Sequence, residues 1–298
     1  METPDRIDSH SAPRHWFRLG TRAVTLLFRP PQATSTLVRQ SYDHAASGYD
    51  QAWTDHMRDL SLQMLDRLAV CERACCLDLT CGTGFITAEL ARRSGQRAVG
   101  VDASPGMLAV ARRSHGECNF EQADALAYLQ AQRKDSFNAI TCGWGLGYTH
   151  PFAVIRQMAR VVRPGGVIGI IDNSLFSLAE VLWASLLTFA ERPDALQHAI
   201  KVRFLPTSGV MATMLRLSGL RVSWRAGGSK SYTVPSGRAA IDRLMSTGAA
   251  AGFEFAVDEE NRENVFGRFA EILEQRYGNP AGIKITHRYI AAVARKRI

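Results

Sequence analysis

The sequence predicts an α/β fold: a doubly wound, mostly parallel sheet with helices on both faces. Three observations lead to this prediction. Short apolar segments alternate with amphipathic helices from residue 74 onward, a double-glycine turn follows the first segment, and an acid stands at or just after the end of each of the first three. Such alternation is typical of parallel strands, because each crossover needs a helix. The 298 residues, 46% apolar and 21% charged, suffice for one large or two modest domains.

We expect residues 1–37 to form an N-terminal extension with one basic amphipathic helix over residues 14–29, ended by the double proline that follows. At about 100° per residue, one face is apolar and the opposite face is basic. The apolar face holds Trp16, Leu19, Ala23, Val24, Leu26 and Leu27, and the basic face holds Arg14, Arg18, Arg22 and Arg29 with Thr21 and Thr25. Such a helix either lies on a membrane surface or packs on its own domain. The acids Glu2, Asp5 and Asp8 before it argue against a secretory signal.

The strand and helix patterns of the rest of the chain can be placed in order. We expect strands at 75–80, 97–102, 119–122, 137–142 and 167–172, with helices at 86–93, 105–113 and 151–162. After residue 172 we expect helices at 177–190, 208–217, 238–247 and 262–277, a strand at 220–224 and a final strand at 285–294. More than a hundred residues separate the fifth and last strands, which is more than a sheet needs. The predicted units are therefore a core (38–175), a substrate cap with the sixth strand (176–284) and the final core strand (285–298).

The strongest local motif is Leu77-Asp78-Leu-Thr-Cys-Gly82-Thr-Gly84, which joins a buried strand to a helix. Two glycines at this turn let a ligand approach backbone amides at the positive end of the helix. The third glycine of a dinucleotide fingerprint is replaced by Thr87, and the Gly-Lys-Ser/Thr of a phosphate loop is absent. The carboxylate of Asp78 instead favours a ligand with a cationic amino group.

Two further acids stand at neighbouring strand ends. Asp102 ends the second strand, where an acid accepts hydrogen bonds from ribose hydroxyls in doubly wound sheets. Asp124 follows the third strand, where it can accept a hydrogen bond from an exocyclic adenine amine. Strand ends converge on one crevice at the switch point of such a sheet. In this order, the glycine turn and the acids predict a single ligand site.

These residues resemble motifs of the class I S-adenosylmethionine-dependent methyltransferases. Residues 77–84 look like the family's first motif, 99–108 (Val-Gly-Val-Asp-Ala-Ser-Pro-Gly-Met-Leu) like its second, and 163–166 (Arg-Pro-Gly-Gly) like the turn before its fifth strand. Residues 42–50 (Tyr-Asp-His-Ala-Ala-Ser-Gly-Tyr-Asp) resemble the cofactor-covering segment of the quinone, sterol and malonyl-carrier-protein methylating branches. The resemblance covers residues 38–172 and the last strand, and it implies a seven-stranded Rossmann-like sheet with S-adenosylmethionine as cofactor.

The resemblance also implies a role for individual residues. Asp78 and the Gly82–Gly84 backbone would hold the methionyl part, and Asp102 the ribose. The adenine would lie against the second-strand and third-strand ends, and two tyrosines would cover the cofactor. The full set implied is Tyr42, Tyr49, Asp78, Thr80, Gly82, Gly84, Asp102, Ala103, Met107, Asp124, Ala125, Cys142 and Gly143.

The acceptor of the methyl group is predicted less directly. The segment after the fourth strand, Cys142-Gly-Trp-Gly-Leu-Gly147, lacks the Asn/Asp-Pro-Pro-aromatic motif of adenine- and amide-methylating branches. The cap is rich in Leu, Phe, Ala and Met, which favours a small apolar or lipid-like acceptor, with O-methylation expected ahead of C- or N-methylation. His150, Trp144 and Tyr42 are the catalytic candidates. Two alternatives stay open: an RNA methyltransferase using the basic surface (net charge +8), and a non-catalytic cofactor-binding regulatory module.

The sequence also bears on metals, thiols and location. The pair Asp172-Asn173 resembles part of the magnesium site of catechol-type O-methylating enzymes, but the other acid of that site is missing after the fourth strand. We therefore expect no metal. Six cysteines in no zinc or CxxC pattern indicate a reducing compartment. We expect a cytoplasmic protein, peripheral at the membrane through residues 14–29 and able to form a homodimer, with no nucleic-acid partner.

Overall fold

The structure, a computed structural model, describes residues 13–30, 32–248 and 251–298. The acidic start of the predicted extension and Pro31 of the double proline lie outside the described residues. Within the described residues, the fold is the α/β sheet that the sequence predicts, with helices on both faces.

Among the described residues, seven strands of four to fifteen residues and one two-residue strand form a single sheet, in the order β3-β2-β1-β4-β5-β8-β6 with β7 paired to β8. The strands are β1 Cys76–Leu79, β2 Val99–Asp102, β3 Asn119–Gln122, β4 Phe137–Gly143, β5 Val162–Asn173, β6 Leu220–Val234, β7 Gly278–Asn279 and β8 Gly282–Lys296. Strands β1 to β5 are parallel, and β8 runs antiparallel to both β5 and β6. The chain reverses its direction of growth between β1 and β4, which creates the crevice of a doubly wound sheet.

Strands β6 and β8 are longer than their sequence patterns predict. They pair with each other from Leu220↔Lys296 to Val234↔Ile283, whereas the pairing of β8 with β5 stops at Asn173↔Tyr289. The two strands therefore continue as a ribbon beyond the carboxyl edge of the parallel sheet. The two strands of the ribbon supply each other's backbone hydrogen-bond partners. They can therefore extend beyond the residues whose apolar alternation predicts a strand.

Eleven helices surround the sheet in the described part of the chain. They are α1 Pro13–Phe28, α2 Thr34–Ala45, α3 Asp55–Leu68, α4 Phe85–Ser94, α5 Pro105–Ser114, α6 Ala125–Ala131, α7 Pro151–Val161, α8 Ala179–Glu191, α9 Ser208–Leu217, α10 Gly237–Ser246 and α11 Glu259–Tyr277. A π-helical segment, Asp50–Thr54, leads directly into α3. The carboxylate of Asp124 caps α6, accepting a hydrogen bond from the Ala127 N–H at 2.9 Å.

Side chains of successive strand residues build the core on opposite faces of the sheet. Leu77 and Ile140 pack with α7 and α9 on one face, while Cys76 and Ala139 pack with α3 and α4 on the other. Asp78, the residue after Leu77 in β1, faces the α4 side and is almost fully buried. A third cluster joins α8, α10, α11 and the ends of β6 and β8 into a layer that corresponds to the predicted cap.

Helix α1 packs on the cap. Leu19 and Leu26 are buried against α8 and the segment that follows it, and the Trp16 ring stacks on Trp183 with centroids 6.1 Å apart. The predicted basic face is also engaged, since Arg18 pairs with Asp194 and Arg22 donates to the Leu196 carbonyl. Four of the six residues of the predicted apolar face are thus buried or half-buried inside the molecule, whereas Val24 and Leu27 are exposed.

Candidate active site

A cavity lies at the carboxyl ends of β1, β2 and β4, at the switch point of the sheet. The space between its walls, counted together with its open mouth, is about 790 Å³. A smaller recess of about 420 Å³ adjoins it. Both share Tyr49, Thr80, Gly82, Gly143 and Trp144 as walls, so they form one continuous site.

The double-glycine turn borders this cavity through its first glycine, Gly82. Gly82 and Gly84 have φ values of +54° and +92°, which residues with a side chain adopt at a cost. At Gly84 a Cβ would also lie 2.9 Å from the Phe120 ring. Gly84 therefore starts helix α4 without lining the cavity, whereas Gly82 lines it.

The carboxylate of Asp102 stands at the end of β2, on the cavity wall. One oxygen accepts the N–H of Gly82 and the other accepts the N–H of Ser104, both at 2.9 Å. Burial raises the pKa of this carboxyl, while the two backbone N–H groups act in the opposite direction. An ionised carboxylate has about four lone-pair sites, so accepting these two bonds leaves capacity for ligand hydroxyls.

Asp78 occupies the inner recess and is held by two hydroxyls. Thr87 Oγ1 and Thr141 Oγ1 each donate a hydrogen bond to it at 2.7 Å. Burial raises the pKa of Asp78 to about 6. Near neutral pH it is mostly a buried anion, which favours a cationic group in the recess.

The Tyr42 and Tyr49 rings cover the cavity from above, with centroids 6.0 Å apart. Tyr148 joins them, its ring centroid 5.8 Å from that of Tyr42. Burial raises the pKa of both Tyr42 and Tyr148 well above the usual value, so the hydroxyls stay protonated.

Trp144 forms the wall between the main cavity and the recess. Its φ of +60° is rare for a bulky residue and indicates backbone strain at the end of β4. The backbone N–H donates to the Ile171 carbonyl at 2.7 Å, and Nε1 donates to Ser61 Oγ at 2.9 Å. These bonds fix the indole beside the cavity.

Ten of the thirteen predicted cofactor residues line the main cavity, and Asp78 lines the recess. The exceptions are Gly84 and Cys142. The Cys142 side chain is buried behind the wall, 3.4 Å from Thr80 Oγ1. Among the catalytic candidates, Tyr42 and Trp144 line the cavity together, but His150 lies in an adjoining groove of about 910 Å³ beside Arg203.

Sequence reasoning missed part of the lining. The residues not predicted in the main cavity are Ser35, Val38, Arg39, Val101, Ser104, Ala123, Gly145, Tyr148 and Thr149. The first three lie on α2 at helical spacing from Tyr42, and that spacing is a signal that finds them. Tyr148 carries no such signal, because a short 3₁₀ turn brings it to Tyr42.

Among the described residues, no group of three or more His, Cys, Asp or Glu side chains is arranged to hold a metal ion. The Asp172 carboxylate accepts the N–H groups of Gly147 and Asn173 at 2.7 and 2.8 Å, and it is buried. The bond from Gly147 thus holds the turn that carries Tyr148.

Comparison with known protein families identifies the domain to which much of this site belongs. Residues 76–166, which contain the glycine turn, Asp102 and Trp144, match the family described as a methyltransferase domain. Residues 76–166 thus form a methyltransferase domain. A crystal structure of a methyltransferase from Bacillus halodurans has the same fold as this domain and its flanks, with a TM-score of 0.55 and 18% identity over 80% of this chain and 99% of that one.

Two curated relatives resemble the methyltransferase domain in sequence. A 2-phytyl-1,4-naphthoquinone methyltransferase of Thermosynechococcus vestitus is 39% identical over 116 residues, covering 37% of this chain and 51% of the relative. A demethylmenaquinone methyltransferase of Chlorobaculum parvum is 28% identical over 146 residues, covering 45% and 59%. The chain thus spans about half the length of the curated relatives it matches.

The cavity of the methyltransferase domain fits S-adenosylmethionine, the cofactor of this family. Asp102 offers carboxylate oxygens for the ribose hydroxyls, and Asp78 gives the recess the negative charge that suits an α-amino group. Asp124 lies on the cavity wall at the end of β3, where the adenine edge is expected. A cationic sulfonium is likewise favoured beside these acids.

Proposed function

We propose that this chain transfers the methyl group of S-adenosylmethionine to a small, apolar, quinone-like acceptor. The observation that carries the proposal is the aromatic wall beside the cofactor cavity. Tyr42, Tyr49, Tyr148 and Trp144 line it, and Trp53 lines the adjoining recess. Flat aromatic walls favour a flat aromatic acceptor, and both curated relatives described above are named for naphthoquinone-type substrates.

The residues of the site act mainly by orienting the acceptor and excluding water, and less by acid–base chemistry. The cofactor supplies an electrophilic methyl carbon, and transfer from a sulfonium depends mainly on in-line approach and exclusion of water. The tyrosine cover and the Trp144 wall exclude water, and the high pKa of Tyr42 keeps its hydroxyl a hydrogen-bond donor. We expect O-methylation of a ring hydroxyl in the reduced acceptor, with the hydroxyl proton released to solvent.

Turnover with a labelled methyl donor tests this function. Purified full-length protein is incubated with methyl-labelled S-adenosylmethionine and a prenylated naphthoquinone, either oxidised or reduced to the hydroquinone. We expect a singly methylated product from the hydroquinone only. NMR of the product distinguishes an O-methyl from a ring C-methyl group. Total RNA serves as the competing acceptor: label in RNA without label in the hydroquinone would reject the proposal in favour of an RNA methyltransferase.

We further propose that residues 176–284 act as the acceptor cap and that the molecule meets a membrane through what we call the α1–α8 surface. This surface consists of Phe17, Val24, Phe28, Leu182, Trp183 and Leu186, all 37% or more exposed. The exposed arginines Arg14 and Arg29 lie at the ends of α1 and complement an anionic bilayer. A lipid-dissolved acceptor would then reach the enzyme from the bilayer. No helix in the described ranges is both long and apolar enough to cross a membrane.

Co-sedimentation with anionic vesicles tests this surface. Phe17→Glu adds a charge at a residue that is 76% exposed on α1, and Leu217→Glu adds the same charge at one that is 73% exposed on α9. We expect wild-type protein and Leu217→Glu to sediment with the vesicles and Phe17→Glu to stay in solution. Equal sedimentation of the two variants would reject the surface. The membrane role would also be rejected if light scattering showed that the wild-type protein is a homodimer and that Phe17→Glu dissociates it.

A further inference from the structure

A buried cluster of polar rings lies next to the recess of the cofactor cavity, and neither the sequence nor the proposed function assigns it a role. We call it the ring cluster. Its members come from five parts of the chain: Trp53 from the π-helical segment, His56 from α3, Tyr232 from β6, Arg243 from α10 and His287 from β8. The His287 ring centroid lies 5.1 Å from Trp53 and 5.7 Å from Tyr232. The His56 ring lies 5.5 Å from Tyr232.

Six side-chain polar atoms of this cluster are buried without hydrogen-bond partners among the described residues. They are Trp53 Nε1, His56 Nε2, Tyr232 Oη, Arg243 Nε and both ring nitrogens of His287. In the same ranges, the other buried side-chain nitrogens and oxygens without a partner are His198 Nδ1 and Arg262 Nε. An unpaired buried polar group is costly to stability, so this concentration at one place indicates a site built for a ligand. His287 is only 1% exposed.

The cluster lies above the carboxyl edge of the sheet, the same edge that carries the cofactor cavity. His287 is two residues beyond the last pairing of β8 with β5 at Tyr289, so it stands on the ribbon above the carboxyl edge. One ring separates it from the cofactor cavity. The Trp53 indole contacts Trp144 edge-on with centroids 5.5 Å apart, contacts His287 on another side, and itself lines the recess.

The backbone that carries Trp53 is irregular. Residues 50–54 form a π-helical turn before α3, and such turns occur frequently at functional sites. The turn is tied at its start, where the Asp50 carboxylate accepts the Thr54 and Thr83 hydroxyls at 2.7 and 2.5 Å. Arg243 ties it to the cap by donating to the Ala52 carbonyl at 2.9 Å. Trp53 therefore lies where the recess, the ring cluster and the cap meet.

The chemistry of the cluster suits an uncharged aromatic ring that bears oxygen. Burial lowers the pKa of His287 to about 3, with the charges of His56 and Arg243 acting in the same direction. His287 is thus neutral, and one of its nitrogens accepts a hydrogen bond while the other donates. Trp53 and Arg243 add N–H donors for ligand oxygens. The nearby ammonium of Lys230 already lies 3.5 Å from Asp59.

We propose that the ring cluster binds the oxygen-bearing head group of a hydroquinone-type acceptor after Trp53 moves aside. This assignment rests on the proposed function and names the site for its substrate class. The acceptor hydroxyl donates to a ring nitrogen of His287, and the Tyr232 hydroxyl binds the remaining oxygen. These residues position the acceptor; they are not assigned a proton-transfer role.

Two variants that remove only unpaired polar atoms test the proposal in the full-length protein. His287→Phe removes both ring nitrogens, and Tyr232→Phe removes one hydroxyl. His198→Phe is the matched control, since it also removes an unpartnered buried ring nitrogen, from a histidine that lines none of the cavities described above. The probe is 2-prenyl-1,4-dihydroxynaphthalene, used in turnover and in equilibrium dialysis with product cofactor present.

We expect His287→Phe and Tyr232→Phe to raise the KM for the probe at least tenfold. Their affinity for S-adenosylmethionine should stay within twofold of wild type, and their melting temperature should be unchanged or higher. A merely structural role would not combine retained stability with lost acceptor affinity. His198→Phe should keep the wild-type KM.

Dialysis separates failure of this site from failure of the proposed function. If wild type binds the probe but does not methylate it, and His287→Phe does not bind it, the site stands and the proposed function fails. If both cluster variants bind and methylate the probe as wild type does, the site is wrong. An equal loss in His198→Phe would also overturn it, as would wild-type protein that does not bind the probe.

Discussion

The Asp43 carboxylate on α2 accepts hydrogen bonds from the Ser104 hydroxyl at 2.6 Å and from the Gly106 N–H at 2.9 Å. The backbone N–H of the same residue, Ser104, donates to Asp102 on the cavity wall. Helix α2, which carries Tyr42, is therefore fastened to the loop that positions the predicted ribose-binding acid. Neither residue was singled out in the sequence, because the contact joins positions 61 apart in the chain.

Asp43→Asn should loosen this fastening and weaken cofactor binding. The substitution removes the charge that strengthens two hydrogen bonds, and a hydrogen bond to a charged group contributes about 1.5–3 kcal/mol. We expect S-adenosylmethionine affinity, measured by calorimetry, to fall about tenfold. Asp66→Asn, which removes an exposed carboxylate on α3 that pairs with Arg93, is the control and should bind as wild type. Equal S-adenosylmethionine affinities in the two variants would show that the Asp43 hydrogen bonds do not contribute to cofactor binding.

Asp102→Ala should reduce cofactor affinity by about 1.5–3 kcal/mol, because a carboxylate that accepts ribose hydroxyls is lost. It also leaves the Gly82 and Ser104 N–H groups without their acceptor. Calorimetric titration measures the first effect and thermal unfolding the second. Asp124→Ala, at an exposed helix cap on the same cavity, should have the smaller effect on affinity. Wild-type cofactor affinity in Asp102→Ala would contradict the ribose assignment.

The buried carboxyl of Asp172 should make stability fall as pH rises. Burial raises its pKa to about 7 from the usual 3.8, so the folded state binds a proton that the unfolded state releases. Its contribution is fully present below pH 3.8 and is lost as pH rises through about 7. Between these values the free energy of unfolding should decline by about 1.4 kcal/mol per pH unit from this group.

Urea unfolding of wild type and Asp172→Asn at several pH values isolates that slope. Asp78, whose pKa is also raised, is present in both proteins, so its contribution cancels in the difference. We expect the stability difference, wild type minus variant, to shrink steadily from pH 4 to pH 7. A difference that stays constant with pH would mean that Asp172 does not titrate in this range.

Turnover should not require a divalent metal. Cys142 and Trp144 stand where a second metal-binding acid is needed, and both oxygens of Asp172 accept backbone N–H groups. We expect the same rate before and after dialysis against a chelator. Loss of activity that magnesium restores would instead make Asp172 and Asn173 ligands, and Asn173→Ala would then raise the magnesium concentration needed.

The sequence by itself predicted the parts of the protein whose signals are local. The glycine turn at Gly82 and the acid at Asp102 are fixed by steric and hydrogen-bonding demands within a few residues, and both lie on the cavity wall as expected. The strand–helix alternation predicted the parallel sheet for a similar reason, since each element has its own periodicity. The amphipathic pattern of α1 predicted a helix, and the structure has it at Pro13–Phe28.

Only the tertiary structure showed which distant segments the helix faces and strand ends contact. The pattern of α1 shows an apolar face but not that Leu19 and Leu26 bury it against α8. The length of the β6–β8 ribbon depends on pairs such as Tyr232↔Ile285, which lie more than 50 residues apart. The ring cluster joins Trp53 to His287 across most of the chain. Sequence patterns record only the local preferences of a segment, whereas these contacts form because distant segments exclude water from one another when the chain folds.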